Sequence, residues 1–180
     1  MQTYIAILRG INVSGKNTIK MEALKILCLN IGLQEVKMYI QSGNIVFKSK
    51  EKKIINLAEL ISQNISNTFN FNVPVIVIKK EELKAIIENN PYIKDIDKDP
   101  SFIHYTFLAD IPKPENIQLL ITLPNTTDEF IIIEKAVYVY CPNGYGNTKL
   151  NNTFFEKKLQ VAATTRNLKT TNQLLNMAML

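Results

Sequence analysis

Two arginines stand apart in a chain that otherwise meets its need for positive charge with lysine. Of 21 basic residues only Arg9 and Arg166 are arginine. Where lysine is the default, an arginine marks a position that uses the planar fork, for bidentate binding of a carboxylate or phosphate or for stacking. Each lies in a polar segment. Arg9 opens RGINVSGKN (9–17), with Arg9, Asn12, Ser14, Lys16 and Asn17 as donors and Gly10 and Gly15 as flexible points. Such a loop, running from a strand into a helix, brings backbone N–H groups to a helix N-terminus, where an anion is favoured. Arg166 lies in ATTRN (163–167), just ahead of a predicted last helix. YIQSGN (39–44) adds Gln41, Ser42 and Asn44 at a hairpin tip, and NGYGNTKLNN (143–152) adds Tyr145, Lys149 and Asn151. Together the four segments hold both arginines and five of the six glycines. They predict a ligand site of Arg9, Asn12, Lys16, Asn17, Gln41, Ser42, Asn44, Lys149, Asn151 and Arg166 around one concave surface.

Each segment also has a plainer explanation. Gly10, four residues, Gly15 and Lys16 reproduce the spacing of a phosphate-binding P-loop, but Asn17 stands where that loop needs a magnesium-holding hydroxyl. The element order is also not that of a P-loop enzyme. Hairpin chemistry alone accounts for Gly43 and Asn44. His104, the one histidine, falls within the strand-like FIHYTFLA and reads as a structural residue with a satisfied hydrogen bond. One histidine and two distant cysteines make no zinc-type cluster. No local feature supports Cys141 as a nucleophile with His104 as its base. Lys48, Lys50, Lys52 and Lys53 around Glu51 read as a solvated turn and helix start. No metal or cofactor is predicted.

Strands are expected at 3–9, 36–41, 44–49 and 73–79 and helices at 20–31 and near 52–68, the first helix marked by Met21, Leu24, Leu27 and Cys28. Ser42 and Gly43 are read as a tight turn joining the second and third strands. Gly32 falls where the first helix needs a C-cap. The order is βαββαβ, a split βαβ or ferredoxin-like unit. A connecting helix near 81–89 and a Pro/Asp-rich stretch lead to a second pass: strands at 102–109, 129–134 and 136–141, helices near 114–121 and 150–160, and a short element at 161–165. A helix at 168–179 closes the chain. The predicted class is α+β, two ferredoxin-like halves packed together, with the first half over 1–79, a connector over 80–100 and the second half over 101–180. Tyr4, Ala6 and Leu8 alternate with Ile5 and Ile7, so both sheet faces need covers. Packing of the halves on each other, or a dimer formed through a sheet face, would supply them.

At 180 residues, 46% hydrophobic and 21% charged, the chain is an ordinary globular one, long enough to bury a core without disulfides or a structural metal. The net charge of +5 favours anionic partners only where it is clustered, and most of it is dispersed. Cys28 and Cys141 are read as reduced structural thiols. No segment reaches about 18 apolar residues, and the N-terminal apolar run is too short for a signal sequence. A soluble cytoplasmic protein without a membrane partner is expected.

TYIAILRGINVSGKNTIKM, YIQSGNIVF, YGNTKLNNTFFEKKL and ATTRN, in this order, resemble the bacterial domain-of-unknown-function 1697 family over essentially the whole chain. The resemblance implies two ferredoxin-like subdomains and no established activity. It also implies a glycine at the place of Ser14 and a tryptophan at that of Leu168. The leading function class is therefore binding of a phosphate-bearing or otherwise anionic small molecule in a cleft lined by the four segments. Nucleic-acid binding is the alternative, supported by the charge and by Tyr4 on the first strand. A non-catalytic interaction protein is the third.

Overall fold

The computed structural model describes residues 1–121 and 127–180. The order is β1 (Gln2–Leu8), α1 (Met21–Asn30), β2 (Gln34–Tyr39), β3 (Asn44–Ser49), α2 (Ile54–Phe69), β4 (Val75–Lys79) and α3 (Lys80–Glu88). Next come β5 (Ile103–Leu108), α4 (Pro114–Ile121), β6 (Glu129–Ile133), β7 (Ala136–Tyr140), α5 (Asn152–Leu159), β8 (Ala163–Asn167) and α6 (Leu168–Met179). The strands form two four-stranded antiparallel sheets, ordered β2-β3-β1-β4 and β6-β7-β5-β8. The second order is the first with four added to each strand number, so both halves are ferredoxin-like. The fold class is α+β.

The chain divides into two compact units, residues 1–85 with 173–180, and residues 86–172. The last eight residues thus belong with the first unit, not with the half that precedes them in sequence. Lys37 Nζ on β2 donates to the Met177 carbonyl (3.4 Å), which places this end of α6 beside β2.

In the first unit Tyr4, Ala6, Leu8, Ile45, Phe47 and Val77 of the sheet share a core with Leu24, Leu27 and Cys28 of α1 and Leu57, Ile61 and Ile65 of α2. The apolar spacing in both helices is that of a stripe facing a sheet. Ile5 and Ile7, on the opposite face of β1, are fully buried as well. α1 ends in a Schellman motif: Gly32 takes a φ of 86°, its N–H donates to the Leu29 carbonyl, and the Leu33 N–H donates to the Cys28 carbonyl. In the second unit Leu108, Val137, Val139 and Ala163 pack with Leu120 of α4 and Phe155 and Leu159 of α5.

The β2–β3 connection differs from the predicted tight turn. β2 stops at Tyr39, opposite Asn44, and four residues, 40–43, make the link, with Ile40 at a φ of 48° and Gly43 at 77°. Asn44 causes this. Its fully buried amide donates to the Tyr39 carbonyl (3.1 Å) and to Ser42 Oγ (3.0 Å), which closes the wider loop. β2 also starts two residues earlier than expected, because a bulge at Glu35 (φ 49°) lets one extra residue enter the strand.

Candidate functional site

The four polar segments fall two in each unit. In the first, RGINVSGKN and YIQSGN are joined through Asn12. Its Nδ2 donates to the carbonyls of Ile19 (3.0 Å) and Gln41 (2.8 Å), and its Oδ1 accepts from the Ile19 N–H (2.9 Å). Asn17 Nδ2 donates to the Gly10 carbonyl (3.1 Å). The Asn12 N–H donates to the Asn17 carbonyl and the Lys16 N–H to the Val13 carbonyl. A phosphate cradle needs such N–H groups turned toward the ligand; here these two are spent inside the loop, so the P-loop spacing does not make a P-loop. Left-handed φ angles at Gly10, Asn12, Ser14, Gly15 and Asn17 trace the winding of the segment. Ser14, at a φ of 50°, holds a left-handed conformation that glycine adopts more readily.

Asn12, Asn17 and Asn44 thus act as struts, and Ser42 accepts from one of them. Gln41 contributes its carbonyl to Asn12, while its side chain is exposed. The cations of this cluster are Lys16, exposed, and Arg9, half-buried, whose own N–H donates to the Pro74 carbonyl (3.0 Å).

In the second unit the other two segments meet around Arg166. Its Nη1 donates to the Thr165 carbonyl (2.8 Å) and to Thr164 Oγ1 (3.2 Å). Burial pulls its pKa down to about 10, with the nearby Tyr145 acting in the opposite direction. Tyr145, in a 3-10 turn over Tyr145–Asn147, stacks on the His104 ring at 4.6 Å between centroids. His104 Nδ1 lies 3.1 Å from the Phe102 carbonyl, which assigns the proton to that nitrogen, and burial holds its pKa below the usual histidine value. On the neighbouring rung of β5 and β8, Thr165 Oγ1 donates to Asn152 Oδ1 (2.7 Å). Thr106 Oγ1 therefore donates to Thr165 Oγ1 (2.7 Å).

Lys149 is exposed. Asn151 is the N-cap of α5, its Oδ1 accepting from the Phe154 N–H (3.0 Å). The start of α6 is capped by Asn167, whose Oδ1 accepts from the Thr170 N–H (2.8 Å), so the helix N-terminus beside Arg166 already has an acceptor. Glu156 Oε1 accepts from the Ala163 N–H (3.0 Å). The sequence selected Arg166 and named Tyr145 only as part of its segment, and it missed Thr106, Thr164, Thr165 and Asn152. The two adjacent threonines before Arg166 were the available signal.

Cys28 and Cys141 are both fully buried, and burial pushes both thiols upward, Cys28 to about 12. Cys141 is thus a poor nucleophile. Among the described residues no group of three or more His, Cys, Asp or Glu is placed to hold a metal ion, and no helix is long and apolar enough to cross a membrane.

A pH dependence follows. Tyr105 and Tyr138 are pushed by burial from 10.0 to about 12, as Cys28 is from 9.0 to about 12. The folded chain keeps these groups neutral while the unfolded chain releases their protons, so these three groups leave stability unchanged below pH 9 and lower it as pH rises from 9 toward 12. Melting temperatures across an alkaline series should drop over this window. A flat profile to pH 12 would contradict the assigned burial.

The chain is an α+β protein of two ferredoxin-like units with an anchored arginine in the second. It belongs to the family described as "Protein of unknown function (DUF1697)", whose profile matches residues 1–138. It is similar to the conserved bacterial protein SP0830 from Streptococcus pneumoniae, a solved structure, at 25% identity and a TM-score of 0.75, with 98% of each chain covered. No curated protein matches it.

Proposed function

We propose that the protein binds a small ligand carrying a carboxylate or phosphate, and that Arg166 is its principal contact. One observation carries the reading: the guanidinium is desolvated yet anchored, with Nη1 tied to Thr164 and Thr165. A half-buried guanidinium fixed in orientation loses little entropy on meeting a bidentate anion. Lys149, exposed on the neighbouring segment of the same unit, supplies a second cation. The nucleic-acid reading is weakened at Tyr4. Base stacking needs an open ring, whereas Tyr4 is fully buried against Phe47, with its hydroxyl donating to the Glu51 carbonyl (2.8 Å).

The test is thermal stabilisation by inorganic phosphate, pyrophosphate, citrate and a mononucleotide, beside single-stranded RNA at two salt concentrations, for the wild type, Arg166→Lys and Arg166→Ala. A ligand at about 100 times its Kd adds about 2.7 kcal/mol. Arg166→Lys keeps the charge and loses the fork, so it should bind about tenfold or more weakly, a loss of about 1.4 kcal/mol, while melting close to wild type. A large fall in melting temperature for both variants without ligand would make Arg166 a stability element. Stabilisation by RNA alone, lost at high salt, would reverse the ranking of ligands.

A further inference from the structure

We infer that the outer edge of β6 is a self-association surface, on which a second copy of this chain adds its own β6 in antiparallel register centred on Ile131. An edge strand offers a row of backbone donors and acceptors, and proteins protect such rows with bulges, charges, proline or a covering segment. Three of the four sheet edges here carry such features. β2 is bulged at Glu35, bears Lys37 and has the end of α6 beside it. β4 is entered from Pro74 and left through Lys79 and Lys80, with Ile76, Val77 and Ile78 buried between. β8 carries Arg166 and has Ala163 and Thr164 buried. β6 differs from all of them. Its sequence EFIII contains no lysine, arginine or proline, its pairing with β7 is regular from Glu129 to Ile133, and none of its residues is buried. Ile131 and Ile133 are 38% and 41% exposed.

The register follows from the ladder. The Leu108 N–H on β5 donates to the Lys135 carbonyl, so Lys135, Val137 and Val139 present their backbone groups to β5, and Ala136, Tyr138 and Tyr140 present theirs to β6. Their partners Ile133, Ile131 and Glu129 therefore face β7. Phe130 and Ile132 direct their N–H and C=O groups outward. A two-fold axis at Ile131 sets Phe130 of one copy against Ile132 of the other, twice, satisfying both outward-facing residues of each copy. Ile131 then meets its own counterpart in a close, non-hydrogen-bonded pair. Within Glu129–Ile133 no like charges meet; just past the strand ends the register sets Asp128 of one copy opposite Glu134 of the other, a repulsion that added salt screens. The one charged residue of the strand, Glu129, falls opposite Ile133 and is already paired with Lys98 (2.6 Å). The contact is isologous and closes as a dimer.

Sedimentation analysis of the full chain over a concentration series tests this, with Ile131→Lys and Ile131→Cys beside the wild type. The wild type should reach twice the 20.5 kDa chain mass. Ile131→Lys, at an exposed position, should stay monomeric with its melting temperature unchanged. Under mild oxidation Ile131→Cys should form a covalent dimer, since the buried native thiols do not compete. A wild type that stays monomeric throughout, or a dimer unaffected by Ile131→Lys and not trapped through Cys at 131, would overturn the inference. Association of the wild type only with a different protein would overturn it equally.

Discussion

Replacing Gly43 with alanine should destabilise the protein by about 2–4 kcal/mol, because two independent costs fall on one methyl group. A Cβ at this position would lie 2.6 Å from Ile11 Cδ1 and 2.8 Å from Leu8 Cβ. Leu8 ends a central strand, and its N–H donates to the Gly43 carbonyl (2.9 Å), so neither side can retreat without breaking the ladder end. Overpacking of this kind costs about 1–3 kcal/mol, and a β-carbon at a φ of 77° adds about 1 kcal/mol more. In thermal denaturation each 1 kcal/mol is worth about 2–4 °C at this chain length. Gly10→Ala and Gly15→Ala are the controls, since a Cβ at either meets nothing within 4 Å. They carry only the conformational cost, about 1 kcal/mol. Equal effects at all three glycines would refute the close-approach explanation.

Phe155→Ala should cost about 3–5 kcal/mol, the range for deleting a buried aromatic ring whose cavity cannot collapse. Phe155 is fully buried on α5 and meets Phe130 and Phe154 edge-on, with centroids 5.7 and 5.3 Å away. It links β6 to α5 and is central to the core of the second unit. Neighbouring Phe154, only partly buried, should cost clearly less on truncation. Urea titrations of the two variants measure the difference, and a smaller loss for Phe155→Ala would contradict the core assignment.

The regular elements were legible because each carries its periodicity locally. Leu24, Leu27 and Cys28 announced α1, and Gly32 its end. β1 and β7 are apolar on both faces, and the short segment after Val161 proved to be the fourth strand of its sheet. The errors lie where one side chain overrides the local pattern. Asn44 draws the β2–β3 connection out to four residues by bonding the Tyr39 carbonyl, and nothing in the apolar alternation of YIQSGNIVF marks this. The polar segments stand out in the sequence, but the role of each residue in them was not readable. Asn12 looks like a ligand donor in isolation. It is a strut because its partners are Ile19 and, 29 residues away, Gln41. The hydrogen bond between Thr106 and Thr165 joins residues 59 apart, a separation that only the sheet register brings into contact.

The two-arginine composition makes the central claim directly measurable. The side-chain Nε–Hε signals of a ¹⁵N-labelled chain come from Arg9 and Arg166 alone, and one Arg166→Lys spectrum assigns both. On titration with phosphate, pyrophosphate and a mononucleotide, the Arg166 signal should shift saturably with at least one of them, at anion concentrations where added chloride has no effect. An Arg166 signal that stays fixed with all three, or that moves linearly and only as much as chloride moves it, would contradict anion binding at this site.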